Sequence, residues 1–157
     1  MNKTEAIALS NKYKNLPQFS PLVLPVPTSK NNLHTRGNRG GWHTREYRDF
    51  RLDTIRMFGL WKRENPPFEI FQGSKYLHLK FRYQLIRASH LGDPKNHEQA
   101  LLDALKEFAW ADDAYVHLDN VLPITPEDLV DKENPRCIVW LNPIQICCTE
   151  LKRVRQA

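Results

Sequence analysis

From Gly92 to Val116 the chain reads GDPKNHEQALLDALKEFAWADDAYV. Its aspartates lie before, within and after one predicted helix: Asp93, Asp103, Asp112 and Asp113. Pro94 suits the first position of that helix, because a helix N-terminus has no use for the N–H that proline lacks. Apolar residues recur at helical spacing and would form the buried stripe: Leu101, Ala104, Leu105 and Phe108. The stretch therefore predicts a helix with carboxylates at both ends.

Strands are predicted on both sides of this helix. Residues from Tyr76 to Ser89 alternate between apolar side chains on one face and polar or basic ones on the other, as a half-buried strand does. A shorter strand is predicted from Tyr115 to Val121. Two strands joined by a single helix favour a sheet with the helix packed on it.

A longer helix is predicted earlier in the chain. Thr44 can cap it, and Asn65 with the two prolines that follow ends it. We expect it to run to about Lys62. Its apolar face consists of Tyr47, Phe50, Thr54, Met57, Phe58 and Trp61.

Two further strands complete the predicted sheet. Phe19–Pro27 contains prolines, which cannot donate to a ladder, so it would be an edge strand. Arg136–Leu141 is a final apolar strand that Ile144–Cys148 would continue. We expect an α/β (α+β) single domain with a small mixed sheet and two main helices packed on it. Residues 1–18 would be an N-terminal arm, 19–142 the domain, and 143–157 a C-terminal strand and basic tail.

Length and composition restrict the class of protein. A chain of 157 residues is one domain by length and can bury a core without disulfides. No apolar run is long enough to cross a membrane, and the N-terminus lacks the apolar core of a secretory signal. These features predict a cytoplasmic protein. Three cysteines without a Cys-x-x-Cys spacing argue against a disulfide framework and a structural zinc site.

The positive charge is concentrated in one loop. The net charge is +5, and five cations fall between Pro27 and Arg48, against the single acid Glu46. They are Lys30, Arg36, Arg39, Arg45 and Arg48. A glycine-containing basic loop is suited to contact with the phosphate backbone of a nucleic acid, although a solvated surface loop has the same composition.

Clustered carboxylates on a basic protein suggest magnesium-assisted chemistry on phosphate, because Mg²⁺ prefers oxygen ligands. The predicted helix separates its own ends by roughly 20–25 Å at 1.5 Å per residue. The helix alone therefore does not bring Asp93 and Asp113 together. The strand that follows Asp113 would have to lie beside the strand that leads into Asp93.

The same stretch resembles a known family. Asp93-x-x-Asn96, followed by Asp103-Ala-Leu, an aromatic residue and Asp112-Asp113-Ala-x-Val, is similar to the RusA family of Holliday-junction resolvases. The segment PTSKNNLHTR (27–36), followed by Tyr47 on a helix, is similar to the basic, asparagine-containing N-terminal loop of that family. The resemblance covers about residues 22–142 and is strongest over 93–116.

The resemblance implies a small homodimeric nuclease that depends on Mg²⁺, with Mn²⁺ as the alternative, and makes paired nicks in branched DNA. Such proteins are often encoded by phages or prophages. By resemblance Asp93 and Asp113 match metal-binding acids, Asn96 matches an active-site asparagine, Asp103 matches a recurrent helix acid, and Asp112 neighbours a ligand. The expected DNA-binding residues are Lys30, Asn31, Asn32, Arg36, Arg39, Arg45 and Arg48.

Two positions depart from the family pattern. The second metal-binding aspartate of the family falls on Lys95, and its active-site lysine falls on Gln99. At about 6 Å and an effective dielectric of about 20, each unit of charge is worth about 3 kcal/mol, so an inward Lys95 would oppose a divalent ion. Lys95 can instead turn outward while Asp112 or Asp103 supplies an oxygen, or it can bind phosphate in place of the lost lysine.

Three functions therefore stay open. The first is a Mg²⁺-dependent endonuclease that resolves four-way junctions in DNA recombination and repair. The second is a RusA-like protein that binds junction DNA and cuts it weakly or not at all. The third is a protein-interaction adaptor that retains only the fold and uses the acidic loop Glu127–Glu133 or the apolar tail Ile144–Val154.

Overall fold

A computed structural model describes residues 1–35, 41–89, 92–123 and 125–147. The elements, in chain order, are α1 (Lys3–Lys14), β1 (Leu22–Leu24), β2 (His34–Thr35), β3 (Trp42–His43), α2 (Arg45–Glu64), β4 (Leu77–Ile86), α3 (Glu98–Leu105), β5 (Val116–Asn120) and β6 (Arg136–Cys147). Short 3₁₀ turns occur at Lys30–Asn32, Pro94–His97, Asp113–Tyr115 and Pro126–Leu129.

The main sheet is mixed, with the strand order β1-β6-β4-β5. β4 pairs in parallel with β5 and antiparallel with β6, and β1 pairs antiparallel with the other edge of β6. β1 therefore lies at an edge, as its flanking prolines predict. The predicted class, a single α+β domain built on a mixed sheet, is confirmed.

One face of β4 packs into the hydrophobic core. The alternation predicted from the sequence is present, with Leu77, Leu79, Phe81, Tyr83 and Leu85 all buried. These side chains belong to a single apolar cluster that also contains residues from all three described helices. The helices therefore cover this face of the sheet. The other face of β4 presents polar side chains that are at least partly exposed.

The longest helix, α2, forms as the sequence predicts. Thr44 caps it by accepting a hydrogen bond from the backbone N–H of Tyr47 at 3.2 Å. The predicted stripe is buried at Tyr47, Phe50, Thr54, Phe58 and Trp61, with Met57 partly buried. Over the described part of the chain, no helix is both long and apolar enough to cross a membrane.

The N-terminal segment is more ordered than an arm. Asn2 and Glu5 form a reciprocal capping box at the start of α1. Ala6 and Tyr13 are buried, and the ring of Tyr13 packs edge-on against Phe71 at 5.2 Å between centroids. The sequence shows only a weak helical pattern here because just one narrow side of α1 touches the core. The expectation of two main helices is therefore corrected to three within the described residues.

The C-terminal strand is longer than its first apolar run. β6 continues from Arg136 to Cys147 through Pro143, so the two predicted segments form one strand. The pairing with β4 shifts between Lys80 and Arg82, where β6 carries extra residues. A bulge tolerates proline because the ladder lacks a hydrogen bond there.

Two local predictions are wrong. The predicted apolar stripe of α3 included Phe108, but α3 ends at Leu105, because Lys106 leaves the helical region and Glu107 adopts a φ of 71°. Phe108 is 37% exposed and does not belong to the helix stripe. The basic segment is not wholly a loop either, since β2 and β3 pair as an antiparallel hairpin with His34 opposite His43.

Thr54 and Thr44 allow a matched test of α2. Thr54 is fully buried, and its hydroxyl has no hydrogen-bond partner among the described residues. We expect Thr54→Val to raise the free energy of unfolding by about 1 kcal/mol, because it removes an unsatisfied buried hydroxyl. The same change at the cap, Thr44→Val, should lower it by about 1 kcal/mol. Urea denaturation measures both, and a destabilised Thr54→Val protein would contradict the packing of α2.

Candidate nucleic-acid interface and the acidic groups

The strand pairing that the acidic motif requires is present, but its direction separates the acids. β5 lies beside β4, with Val116 opposite Leu79 and Asn120 opposite Tyr83. Parallel strands begin at the same end of a sheet. Asp113 precedes β5 and so lies near the start of β4, whereas Asp93 follows the opposite end of β4.

The length of the crossover gives the size of this separation. The 3₁₀ turn Pro94–His97 has 4 residues and α3 has 8. At rises of about 2.0 and 1.5 Å per residue they span roughly 20 Å. Asp93 caps the first end, and Asp113 contacts Lys106 just beyond the second end. Two carboxylates that share a metal ion must lie within a few ångströms of each other, which this arrangement does not allow within one chain.

At the first end, Asp93 acts as a cap. Its Oδ1 accepts a hydrogen bond from the backbone N–H of Lys95 at 2.9 Å. Asp93 and Lys95 are exposed and Asn96 is half-buried. Asp93 therefore serves as the capping residue of the turn Pro94–His97.

At the other end, Asp112 and Asp113 serve a tight turn. Asp112 Oδ1 accepts from the backbone N–H of Ala114 at 3.0 Å. Asp113 Oδ1 lies 3.5 Å from Lys106 Nζ, and its side chain is 27% exposed. An ammonium beside this carboxylate neutralises charge that a divalent cation would need.

Asp103, within α3, lies near Tyr47 of α2. Gln99 donates a hydrogen bond from Nε2 to Asp103 Oδ1 at 2.9 Å. Burial raises the pKa of the Tyr47 hydroxyl, and the negative charge of Asp103 raises it further. Asp103 therefore lies near the apolar face of α2, and Gln99 already holds one of its oxygens.

The described residues of a single chain do not fit Mg²⁺. No group of three His, Cys, Asp or Glu side chains in that part of the chain is placed to hold a metal ion. Lysines lie beside both acidic ends, at Lys95 and Lys106. The assignment of Asp93, Asp113, Asp112 and Asp103 as metal ligands, and of Asn96 and Lys95 as catalytic residues, stays a prediction.

A different convergence does occur, between the basic N-terminal segment and the start of α3. The 3₁₀ turn Lys30–Asn32 packs against the turn Pro94–His97 and against α3. His97 donates from Nδ1 to the carbonyl oxygen of Pro27 at 2.5 Å. Lys30, Asn31 and Asn32 are exposed. Three of the predicted DNA-binding residues therefore lie next to Asp93, Lys95 and Asn96.

The hairpin and the start of α2 extend this surface. Thr44 donates from Oγ1 to the carbonyl oxygen of Asn32 at 2.5 Å, and its backbone N–H donates to Leu33. Arg45 is 89% exposed and only loosely paired with Asp49, at 3.7 Å. Arg48 is also exposed. Arg36 and Arg39, at the connection between β2 and β3, lie outside the described residues. We call the exposed set Lys30–Asn32, Trp42, Arg45 and Arg48 the basic surface.

Sequence reasoning missed one member of the basic surface, Trp42, and one contact between β4 and α3. Trp42 is 78% exposed beside the arginine-rich connection, and a tryptophan flanked by glycine and histidine within a basic segment was the available signal. Tyr83 donates to Glu98 at 2.8 Å, and burial followed by this hydrogen bond raises the pKa of Tyr83 well above its ordinary value. Glu98 lies on the first turn of α3, so its contact with β4 was not visible from spacing.

Asp93 offers a test that separates its capping role from any chemistry. We expect Asp93→Asn to leave the free energy of unfolding within a few tenths of a kcal/mol of wild type, because an asparagine oxygen caps as well as a carboxylate. Asp93→Ala should lower it by about 1 kcal/mol. Denaturant titration measures both values. Equal losses in both variants would show that the charge, and not the cap, is what the fold uses.

Comparisons with known proteins add no family assignment. No protein-family model matches the chain, and a search of curated proteins found no match either. The fold and the surface described above therefore rest on the residues of this chain, and membership of the RusA family stays a prediction.

Proposed function

We propose that this chain binds branched DNA in the cytoplasm through the basic surface. The observation that carries the proposal is the packing of the turn Lys30–Asn32 against the turn Pro94–His97. That contact places exposed cations and amides beside the acidic and amide groups at the start of α3.

The chemistry of the basic surface suits a phosphate backbone. Lys30, Arg45 and Arg48 are exposed, and no tight ion pair occupies Arg45. Such side chains neutralise phosphates without reading sequence. Trp42 presents an exposed indole, and bases that are unpaired, as at the centre of a branched molecule, stack on such rings. Together these features support recognition of DNA shape over DNA sequence.

The basic surface is also held rigidly. Hydrogen bonds from Thr44 and His97 tie the segment 27–33 to α2 and to the start of α3. A binding surface that is ordered before the ligand arrives loses less conformational entropy on binding. This supports a docking surface over a solvated loop for residues 30–32.

Junction cleavage is the second candidate, favoured by the pairing of β5 with β4, which the expected metal site requires. Asp93 and Asp113 lie at opposite ends of α3. A site that uses both acids would therefore have to combine Asp93 of one copy of the chain with Asp113 of a second copy. A homodimer with two-fold symmetry would form two such sites. In this candidate, Mg²⁺ or Mn²⁺ binding depends on assembly.

One testable prediction of this proposal concerns the affinity for DNA. We expect Arg45→Gln and Arg48→Gln each to weaken binding to a synthetic four-way junction about equally for all sequences. Each change should also reduce the slope of log affinity against log salt by about 1, because one phosphate contact is lost. Fluorescence anisotropy at several salt concentrations measures both quantities.

The matched control lies on the same helix. Arg63 is exposed near the end of α2, roughly 27 Å from Arg45 at 1.5 Å per residue. Arg63→Gln removes the same charge from the chain and should leave the salt slope at its wild-type value. Equal losses at Arg45 and Arg63 would indicate a general effect of net charge and would contradict the basic surface. Absence of DNA binding at low salt would favour the protein-interaction adaptor.

A further prediction concerns cleavage. It distinguishes an active site formed within one chain from an active site shared by two chains. Wild type is incubated with a four-way junction in Mg²⁺, beside Asp93→Asn and Asp113→Asn. If cleavage depends on both acids across a dimer, each variant alone is inactive. A mixture of the two should then recover roughly a quarter of the wild-type sites, since half of random dimers are mixed and each mixed dimer has one intact site.

The remaining outcomes of this assay are equally informative. Cleavage that persists in Asp113→Asn would remove that residue from the site. Inactive variants that do not complement each other would mean that both acids act within one chain, contrary to the separation across α3. A wild type that binds the junction without nicking it would support the binding function and leave the enzymatic candidate without support.

A further inference from the structure

A histidine in the turn before α3 is held in one orientation by a backbone group. His97 donates from Nδ1 to the carbonyl oxygen of Pro27 at 2.5 Å. Pro27 and the next residue, Thr28, are buried, so the acceptor belongs to a part of the chain that is packed into the fold. A carbonyl oxygen only accepts hydrogen bonds. Nδ1 of His97 therefore carries a proton whether the ring is neutral or cationic.

The other ring nitrogen, Nε2, is the one that can gain a proton. Nε2 of His97 has no hydrogen-bond partner among the described residues. Buried side-chain polar atoms without a partner occur in that part of the chain only at Thr28, Thr54, Trp110 and Asn120, so Nε2 contacts solvent. In the neutral ring Nε2 accepts hydrogen bonds, and protonation turns it into a donor. The same atom therefore repels a phosphate oxygen in the neutral ring and binds it in the cationic one.

The charges around His97 cancel while its ring is neutral. Its turn packs against the turn Lys30–Asn32 and against α3. The charged residues of these elements, together with the cap of its own turn, are Asp93, Lys95, Lys30, Glu98 and Asp103. Asp103 is held farther along α3 by Gln99, and the other four are two lysines and two carboxylates. A proton on His97 therefore decides whether this part of the surface is neutral or positive.

We propose that His97 is a phosphate ligand of the basic surface in its protonated form, so that DNA binding takes up a proton. The inference rests on the proposed DNA-binding function and adds a residue that the sequence did not indicate for that role. Histidine is the side chain whose charge ordinarily changes between pH 5 and 8. Its cationic ring donates a charge-assisted hydrogen bond to a phosphate oxygen.

The position of His97 suits contact with the same stretch of DNA backbone as the turn Lys30–Asn32. The two turns pack against each other, and the three residues of the earlier turn are exposed. The hydrogen bond to Pro27 joins the ring to the segment that carries them. A DNA backbone that contacts Lys30 therefore passes close to His97, and a ring that is already fixed loses little conformational entropy on binding.

Proton uptake fixes the direction of the pH effect. Since bound DNA holds the proton on Nε2, affinity rises as the pH falls through the range in which imidazole titrates. We expect binding to a synthetic four-way junction to be about tenfold tighter at pH 5.5 than at pH 8.0, which is the effect of one hydrogen bond to a charged group. The slope of log affinity against log salt should also be steeper by about 1 at the lower pH, because one more cation meets a phosphate.

The test is fluorescence anisotropy with the full chain and a four-way junction between pH 5.5 and pH 8.0. His97→Asn retains an amide N–H that can donate to Pro27, but it has no group that titrates. Its affinity at pH 8.0 should match wild type, and the gain on acidification should be lost. His97→Gln should lose the gain as well. Thermal unfolding at both pH values establishes that each variant is folded.

A measurement on the wild-type chain needs no variant. Calorimetric titration with the junction at pH 6.5, in buffers of different ionisation enthalpy, counts the protons taken up on binding. We expect net proton uptake. Binding without proton uptake would overturn the proposal even if the His97 variants failed to fold.

His43 supplies the matched control. It is exposed on the hairpin beside Trp42, and its ring packs against Tyr47 at 4.9 Å between centroids. His43→Asn removes an imidazole from the same region and should keep the gain in affinity at pH 5.5. A gain that persists in His97→Asn, or that His43→Asn loses to the same extent, would contradict the role of His97. Junction binding that does not change with pH would overturn this inference alone, whereas absence of binding at every pH would remove the proposed function with it.

Discussion

The parallel pairing of β4 with β5 is the constraint on which the rest of the molecule depends. Parallel neighbours cannot be joined by a tight turn, so the chain must cross the sheet through α3 before β5 begins. That crossover lies on the core face, where Leu101 and Leu105 are buried. The same geometry places Asp93, which follows β4, at one end of the sheet and Asp113, which precedes β5, at the other.

This constraint separates residues that are close in the sequence motif and joins others that are distant. Asp93 and Asp113 are divided by the length of α3, although they belong to one 25-residue stretch. The turn Lys30–Asn32 lies more than sixty residues before Asn96, yet it packs beside the turn that contains it. The part of the molecule with the composition of a ligand surface is therefore made from the N-terminal segment and the start of α3. Asp113 takes no part in it.

Most of the fold could be predicted wherever one face of an element is strongly apolar. The alternation along β4 and the stripe along α2 both report burial directly, because one side of each element meets the core over many residues. Prediction failed where the apolar signal is short. α1 buries only Ala6 and Tyr13, and the hairpin β2–β3 consists of two-residue strands that bury little, so neither produces a periodic pattern.

The sequence by itself determined which residue types are present and which local elements they favour. It predicted the start of a helix at Pro94, the edge position of β1 and the basic character of the segment that follows. Only the tertiary structure decided which polar groups meet. The neighbour that each strand takes, the contact of Tyr83 with Glu98 and the meeting of His78 with His117 all depend on the packing of distant segments, because spacing along a chain does not say which strands become neighbours.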